Sequence, residues 1–292
     1  MDLPVRRNHM PPSAAVPLSV ERSVVVEGVR VRYFDSGPAK SDLPPVVLVH
    51  GTGGTTSSHY SFVFPMLAAH QRVISVDLAD TRHEVLALSD LEAQVAAVIR
   101  DAVTVPVTLV GYSLGAVVAS SLAGRHGAPV DRLVTIAGWM RTDAQQRLRN
   151  DIWRELRDSG SESARKFTVF AGFGGDFLGE RKSGELEALI NSVEFTQFQY
   201  RQMDLNRRID ITESVRNIRA KALVIGCRDD YMVPARHSRM LFGAMPDARY
   251  TEITSGHAVV FERPAELVHW IGAFNADTER YPAGAILSAA QP

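Results

Sequence analysis

Ser113 stands in Gly111-Tyr112-Ser113-Leu114-Gly115, a glycine-flanked serine between two apolar runs. Val105-Pro106-Val107-Thr108-Leu109-Val110 precedes it, and Ala116-Val117-Val118-Ala119-Ser120-Ser121-Leu122-Ala123 follows it. The β-branched first run predicts a buried strand, and the Ala/Leu-rich second run predicts a packed helix. A serine in so sharp a strand-to-helix turn is held in a strained backbone conformation with its hydroxyl exposed. The glycines two places before and after are required because side chains there collide with neighbouring elements. Ser113 is the candidate nucleophile.

A serine hydroxyl is inert at neutral pH unless a base takes its proton and a third group orients that base. Both partners stand downstream. Residues 221–226 predict another short buried strand, which runs into Cys227-Arg228-Asp229-Asp230-Tyr231-Met232-Val233-Pro234. Acids at the C-terminal end of a strand lie on the edge where open α/β sheets bind their ligands. Residues 249–253 predict a last strand, and Thr254-Ser255-Gly256-His257 follows it as a loop that supplies the base. In an extended segment Asp229 and Asp230 face roughly opposite ways, so only one of them reaches His257. Counting three residues on from Gly226 selects Asp229.

The order Ser113, Asp229 or Asp230, His257 resembles that of the α/β-hydrolase superfamily, and the resemblance runs from about Ser23 to Asp277. Two further stretches carry it: Val46-Val47-Leu48-Val49-His50-Gly51-Thr52-Gly53-Gly54, and Gly256-His257-Ala258-Val259-Val260-Phe261-Glu262-Arg263-Pro264. The resemblance implies a mostly parallel, eight-stranded α/β sheet with a helical cap inserted after strand 6. It also bears on the acid, because members place it four residues before a proline, and Asp230 has that spacing to Pro234. This favours Asp230, since the proline starts the next helix and sets the loop geometry. A tetrahedral intermediate carries a negative oxygen that prealigned donors must meet. In the superfamily these are the amide after the nucleophile, here Leu114, and one from the loop after the third strand, here Thr52. His50 is expected to orient that loop. One stretch departs from the pattern: Asp77-Leu78-Ala79-Asp80-Thr81-Arg82-His83 lacks the glycines many members carry there. That weighs against a mainstream esterase, haloperoxidase-like or epoxide-hydrolase-like subgroup. The serine at the elbow excludes aspartate-nucleophile chemistry.

The elements that must hold these residues follow from periodicity. Residues 23–26 and 29–34 predict a hairpin, residues 45–49 a third strand, 72–77 a fourth and 131–137 a sixth. A helix is expected over 58–69, and Ser89 with Glu92 forms a capping box for the next. Pro264 opens a final helix with Leu267, Trp270, Ile271 and Phe274 on one face. Alternating strands and helices mean a mainly parallel sheet covered on both sides. The stretch from Gly138 to Arg219 breaks this alternation and is too long for a simple connection. Thr142 and Gln145 are expected to cap a helix carrying Leu148, Ile152 and Leu156, and residues 185–200 a further helix. The expected organisation is a flexible tail over 1–22, a core over 23–138 and 219–278, a cap over 139–218, and a mobile tail over 279–292. Phe170, Phe173 and Phe177 of the cap, with Tyr60 and Trp139 at strand ends, are candidate substrate contacts.

Composition narrows the function. A net charge of −1 with no basic run offers no electrostatic case for nucleic acid or an anionic membrane. No stretch approaches the length of a membrane-spanning helix. Cys227 is the single cysteine, so no intramolecular disulfide forms, and it reads as a small buried filler. The first 18 residues lack the apolar core of a signal peptide, which leaves the cytoplasm as the expected location. No metal-ligand cluster and no dinucleotide fingerprint is legible. Together the residues predict a cofactor-free and metal-free serine hydrolase acting on an ester, thioester or lactone of a small, largely apolar molecule. Two rivals share the fold: a lyase, C–C bond hydrolase or acyltransferase, and a non-enzymatic ligand receptor. Nothing in the composition specifies the oligomeric state.

Overall fold

Short β-branched runs that bury both faces build the centre of the sheet, and the computed structural model shows how they align. It describes Val16 and residues 18–38, 41–125 and 129–288. Most of the expected tail over 1–22 lies outside the described residues, as do residues 289–292 of the expected C-terminal tail. The strands are β1 (Val20–Val26), β2 (Val29–Asp35), β3 (Val46–Val49), β4 (Val73–Asp77), β5 (Val107–Tyr112), β6 (Val130–Ile136), β7 (Lys221–Cys227), β8 (Ala248–Ile253) and β9 (Ile286–Leu287). They form one sheet in the order β1-β2-β4-β3-β5-β6-β7-β8-β9. β1 and β2 are antiparallel to their neighbours, and the rest run parallel. All four residues of β3 and all six of β5 are buried, as strands covered on both faces must be.

The sheet has nine strands among the described residues, not the eight expected. The extra one, β9, comes from the stretch read as a mobile tail, where Ile286 and Leu287 pair with Tyr250 and Thr251 of β8. The open edge of β8 offers unpaired backbone groups, and the returning chain satisfies them. Tyr281 and Leu287 also pack against the apolar cluster that contains Trp270 and Phe274.

Four helices precede the insertion: α1 (Thr56–His59), α2 (Val63–Ala68), α3 (Leu88–Ala102) and α4 (Leu114–Ala123). The single helix expected over 58–69 is thus two short ones, with α1 capped by the Thr55 side chain. Ser89 and Glu92 do not cap α3. Its first turn is closed by the Asp90 carboxylate, which accepts from the Ala87 amide at 2.9 Å, and Glu92 is ion-paired with Arg125 instead. Six helices lie between β6 and β7: α5 (Ala144–Asp158), α6 (Ser163–Gly172), α7 (Gly175–Gly179), α8 (Ser183–Asn191), α9 (Gln197–Asn206) and α10 (Thr212–Arg216). Three follow β7: α11 (Ala235–Ala244), α12 (Val259–Glu262) and α13 (Pro264–Ala276). In α13, Leu267, Trp270, Ile271 and Phe274 are buried as their spacing requires.

The insertion departs from its sequence reading in three places. Asp143 and Gln146, not Thr142 and Gln145, cap α5 reciprocally. Thr142 instead accepts from Trp139 Nε1 at 2.9 Å and donates to the Asn206 carbonyl at 2.6 Å. The helix expected over 185–200 is broken between α8 and α9, where Thr196 accepts from the Gln199 amide and starts a new helix. Most tellingly, α5 is turned the other way. Leu148 and Ile152 are exposed, while Gln146, Asn150 and Trp153 are buried. A polar face turned inward is the reverse of an ordinary surface helix.

Candidate active site

The elbow at Ser113 is strained as its motif demands, with φ 56° and ψ −122°. Two close approaches explain its glycines. A Cβ on Gly115 would lie 2.0 Å from the Val49 carbonyl oxygen, and one on Gly111 would lie 2.2 Å from that of Gly115. Strand β3 and helix α4 therefore meet at a separation only glycine permits. The Ser113 amide donates to the Ile136 carbonyl at 2.8 Å, which pins the turn to β6.

Three side chains from three distant segments then line up. His257 Nδ1 donates to Asp230 Oδ2 at 2.7 Å, and Ser113 Oγ donates to His257 Nε2 at 2.8 Å. All three residues are buried. The carboxylate bond sets the tautomer, leaving the Nε2 lone pair for the serine proton. Asp230 Oδ1 accepts the Met232 and Val233 amides, both at 2.7 Å, so the loop running to Pro234 grips the acid. Asp229 is half-exposed, and its amide donates to the Ser255 carbonyl at 2.9 Å. Behind the histidine, Tyr112 donates its hydroxyl to the His257 carbonyl at 2.9 Å.

The Leu114 amide stands at the first position of α4, where a helix leaves its N–H groups without intrahelical partners. Thr52 faces the same cavity. His50 is buried and holds the loop between them, donating from Nδ1 to the Gly51 carbonyl at 2.8 Å and accepting the Leu78 amide on Nε2 at 3.0 Å. Burial pushes its pKa down, so it is a neutral structural strut. His59 Nδ1 accepts from the Gly51 amide at 3.2 Å, and burial pushes its pKa down to about 3.

The insertion grips this loop from above. Gln202 Oε1 accepts from the Gly53 amide at 2.7 Å, and Asn206 Nδ2 donates to Thr52 Oγ1 at 2.9 Å. Gly53 adopts φ +70° there, which a glycine takes without strain. Glu262 ties the other side together by accepting from the Gly174 and Gly256 amides, each at 3.1 Å. Burial raises the pKa of its carboxyl, and the two amides oppose that rise. Sequence periodicity offers no signal for Gln202, Asn206 or Glu262, because each acts across a contact remote along the chain.

Between insertion and sheet lies a cavity of about 920 Å³ that reaches Ser113 and His257. Of the expected contacts, Trp139, Phe173 and Phe177 line it, and the last two rings stack with centroids 5.1 Å apart. Two expectations are corrected. Tyr60 is buried behind β3, where its hydroxyl donates to the Val49 carbonyl at 2.8 Å, and it does not line the cavity. Phe170 points outward, 63% exposed, and stacks on Tyr231. A helical residue three positions from Phe173 need not share its face once the chain leaves α6 at Gly172. Cys227 is buried, with its thiol pushed up first by desolvation. The expected absence of any metal-ligand group also needs amending, since Glu27, His83 and Asp90 bring ligand atoms within 4.8 Å of one another on the surface. His83 Nδ1 lies 3.1 Å from Asp90 Oδ1, and none of the three residues lines the cavity that reaches Ser113. Among the described residues no helix is long and apolar enough to cross a membrane.

The model of the alpha/beta hydrolase family matches residues 46–270. The chain belongs to that family. Among its relatives, this α/β-hydrolase is 29% identical over 260 residues to pyrrolizixenacetamide deacetylase of Xenorhabdus hominickii, covering 86% of this chain and 96% of that one. A Mycobacterium tuberculosis protein of solved structure superimposes with a TM-score of 0.75 at 27% identity, covering 89% and 98%. The enol-lactonase of Burkholderia xenovorans LB400 shares the fold with a TM-score of 0.74 at 20% identity, covering 88% and 100%. With its serine, histidine and aspartate in hydrogen-bonded line, this α/β-hydrolase is a serine hydrolase.

Proposed function

We propose that this α/β-hydrolase cleaves an ester, thioester or lactone of a small molecule through an acyl-enzyme on Ser113. The observation that carries the reading is the continuous hydrogen-bond chain Asp230–His257–Ser113 ending at a cavity. Ser113 Oγ attacks the carbonyl carbon, and its proton passes to His257 Nε2. Asp230 holds the imidazole and stabilises the imidazolium that forms. The Thr52 and Leu114 amides receive the developing oxyanion, Leu114 with the favourable field of a helix N-terminus. His257 then gives its proton to the leaving oxygen or sulfur. A water molecule, deprotonated by the same nitrogen, releases the acid and restores Ser113. Phe173, Phe177 and Trp139 suit an apolar body on the substrate.

A second reading, amide hydrolysis, is favoured by the relative named as a deacetylase of an acetamide. The steps are the same, but the leaving nitrogen must be protonated as it departs, which makes the His257 proton more important. Matched acetate esters and acetanilides therefore separate the two readings. A fluorophosphonate probe tests their shared core. It should label the protein once, at Ser113, and Ser113→Ala should lose labelling and about 10⁴-fold or more of turnover. Full activity in that variant would remove the acyl-enzyme from both readings.

A further inference from the structure

Helix α5 lines the cavity with Gln146, Arg149, Asn150 and Trp153, and Arg149 is the residue that stands out. Two other arginines of the helix have partners, and Arg147 is exposed to solvent. Arg154 lies 3.2 Å from Asp204 and stacks over Tyr200, and Arg157 lies over the same ring at 4.6 Å from its centroid. Arg149 makes no hydrogen bond or ion pair among the described residues, and its Nε is enclosed without a partner. Asn150 Oδ1 and Gln199 Oε1, from two other lining residues, are likewise enclosed without partners. Arg149 is half-buried, with its Nε enclosed and the unpaired remainder of its guanidinium bordering the cavity, and an unpaired polar group so placed calls for an explanation that a ligand can supply. Burial lowers its pKa only to about 10, with Asp230 the one charge that counters the shift, so it remains cationic at neutral pH.

The rest of the lining does not neutralise it. Arg32 is already paired with Asp77 at 3.3 Å, and Arg181 lies 3.9 Å over the Phe177 ring. Glu194 is the lone carboxylate among the described lining residues, and it is exposed. The part of the lining that α5 supplies is therefore cationic and carries amides, whereas Trp139, Phe173 and Phe177 give the same cavity an apolar part. This explains why α5 exposes Leu148 and Ile152 and turns its polar face inward.

We propose that Arg149 binds a carboxylate carried by the substrate away from the scissile carbonyl, making this α/β-hydrolase selective for acids that also bear the cleavable acyl bond. The inference rests on the serine-hydrolase reading and narrows its substrate. A planar guanidinium takes a carboxylate through two parallel N–H···O bonds, and in a half-buried site the pair is less screened by salt than on an open surface. The aromatic rings then hold the chain between the two ends.

Two esters of equal acyl length test this, p-nitrophenyl valerate and mono-p-nitrophenyl glutarate, which exchange a methyl terminus for a carboxylate. The wild type should prefer the glutarate ester in kcat/KM. Arg149→Met should lower the glutarate-to-valerate ratio roughly 10- to 100-fold, the size of a charge-assisted hydrogen bond. Arg149→Lys should restore part of it. An unchanged ratio in Arg149→Met would overturn the proposal. Arg149→Met should also match or exceed the wild type in Tm, because it removes an unpaired, half-buried charge. A clear fall in Tm would mean the guanidinium serves folding, and would overturn it equally. Binding is read separately from turnover by adding glutarate to Ser113→Ala protein at fixed ionic strength. Glutarate should raise the Tm of that protein but not of the double variant with Arg149→Met, and equal shifts in both would count against the site. If no ester turns over and no probe labels Ser113, the hydrolase reading fails while this binding measurement still decides the role of Arg149.

Discussion

Two adjacent aspartates differ in role by the direction in which one peptide turns them. Asp230 is buried, with His257 on one oxygen and two loop amides on the other, whereas Asp229 is half-exposed. Replacing Asp230 by Asn leaves the geometry but removes the acceptor that sets the imidazole tautomer. Its kcat should fall about 10³- to 10⁴-fold, while Asp229→Asn should stay within about threefold of the wild type. Steady-state kinetics on one activated ester decides this, and the reverse order would move the acid by one residue. At this scale the sequence was informative through its resemblance to the family, whose members place the acid four residues before a proline, as Asp230 stands before Pro234. It was misleading for Tyr60 and Phe170, whose ring types suit a pocket but whose neighbours lie elsewhere. A buried acceptor at Val49 takes the first, and an exposed ring at Tyr231 takes the second.

At the scale of elements, the insertion does more than cover the cavity. Helix α9 reaches the loop after β3 through Gln202 and Asn206, so the amides beside Ser113 are positioned partly by a segment some 150 residues away in sequence. Gln202→Leu removes the acceptor of the Gly53 amide and leaves that donor without its side-chain partner. The neighbouring Thr52 amide should then drift from the oxyanion position. We expect kcat to fall roughly 10-fold with little change in KM for a short ester, since misplacement by about 1 Å costs more in the transition state than in binding. Gln202→Glu keeps the acceptor and should recover much of the loss. If both variants lose stability alike and keep kcat, α9 only packs on the core. None of this was legible beforehand, because a glutamine on a helix carries no mark of the distant amide it will meet.

At the scale of the molecule, the chain returns after α13 to close the sheet. Gly284 donates to the Ala248 carbonyl at 2.8 Å, Tyr250 to that of Ala285 at 2.9 Å, and Arg249 Nε to that of Tyr281 at 2.8 Å. Arg249 is buried, so losing that carbonyl would leave its guanidinium short of a partner. Ending the chain after Arg280 should cost about 2 kcal/mol and lower Tm by about 4–8 °C. The elbow lies on the far side of β6 and β7 from this edge, and kcat at 25 °C should stay within about twofold. Thermal unfolding followed by circular dichroism, with ester kinetics on the same preparation, reads both. An unchanged Tm would return residues 281–292 to the status of a loose tail.

The sequence by itself determined the chemistry of the elbow and the order of its partners. A strand, a glycine-flanked serine and a helix are local features, and β-branched runs and helical periodicity write them directly into the chain. The same holds for the parallel core, since strands buried on both faces must be apolar throughout. Tertiary structure alone decided what surrounds the serine. The orientation of α5, the polar wall around Arg149, the grip of Gln202 and Asn206, and strand β9 each depend on contacts between segments far apart in sequence. Residue type does not encode such a partner, and burial of a polar side chain acquires meaning only when the group that faces it is known.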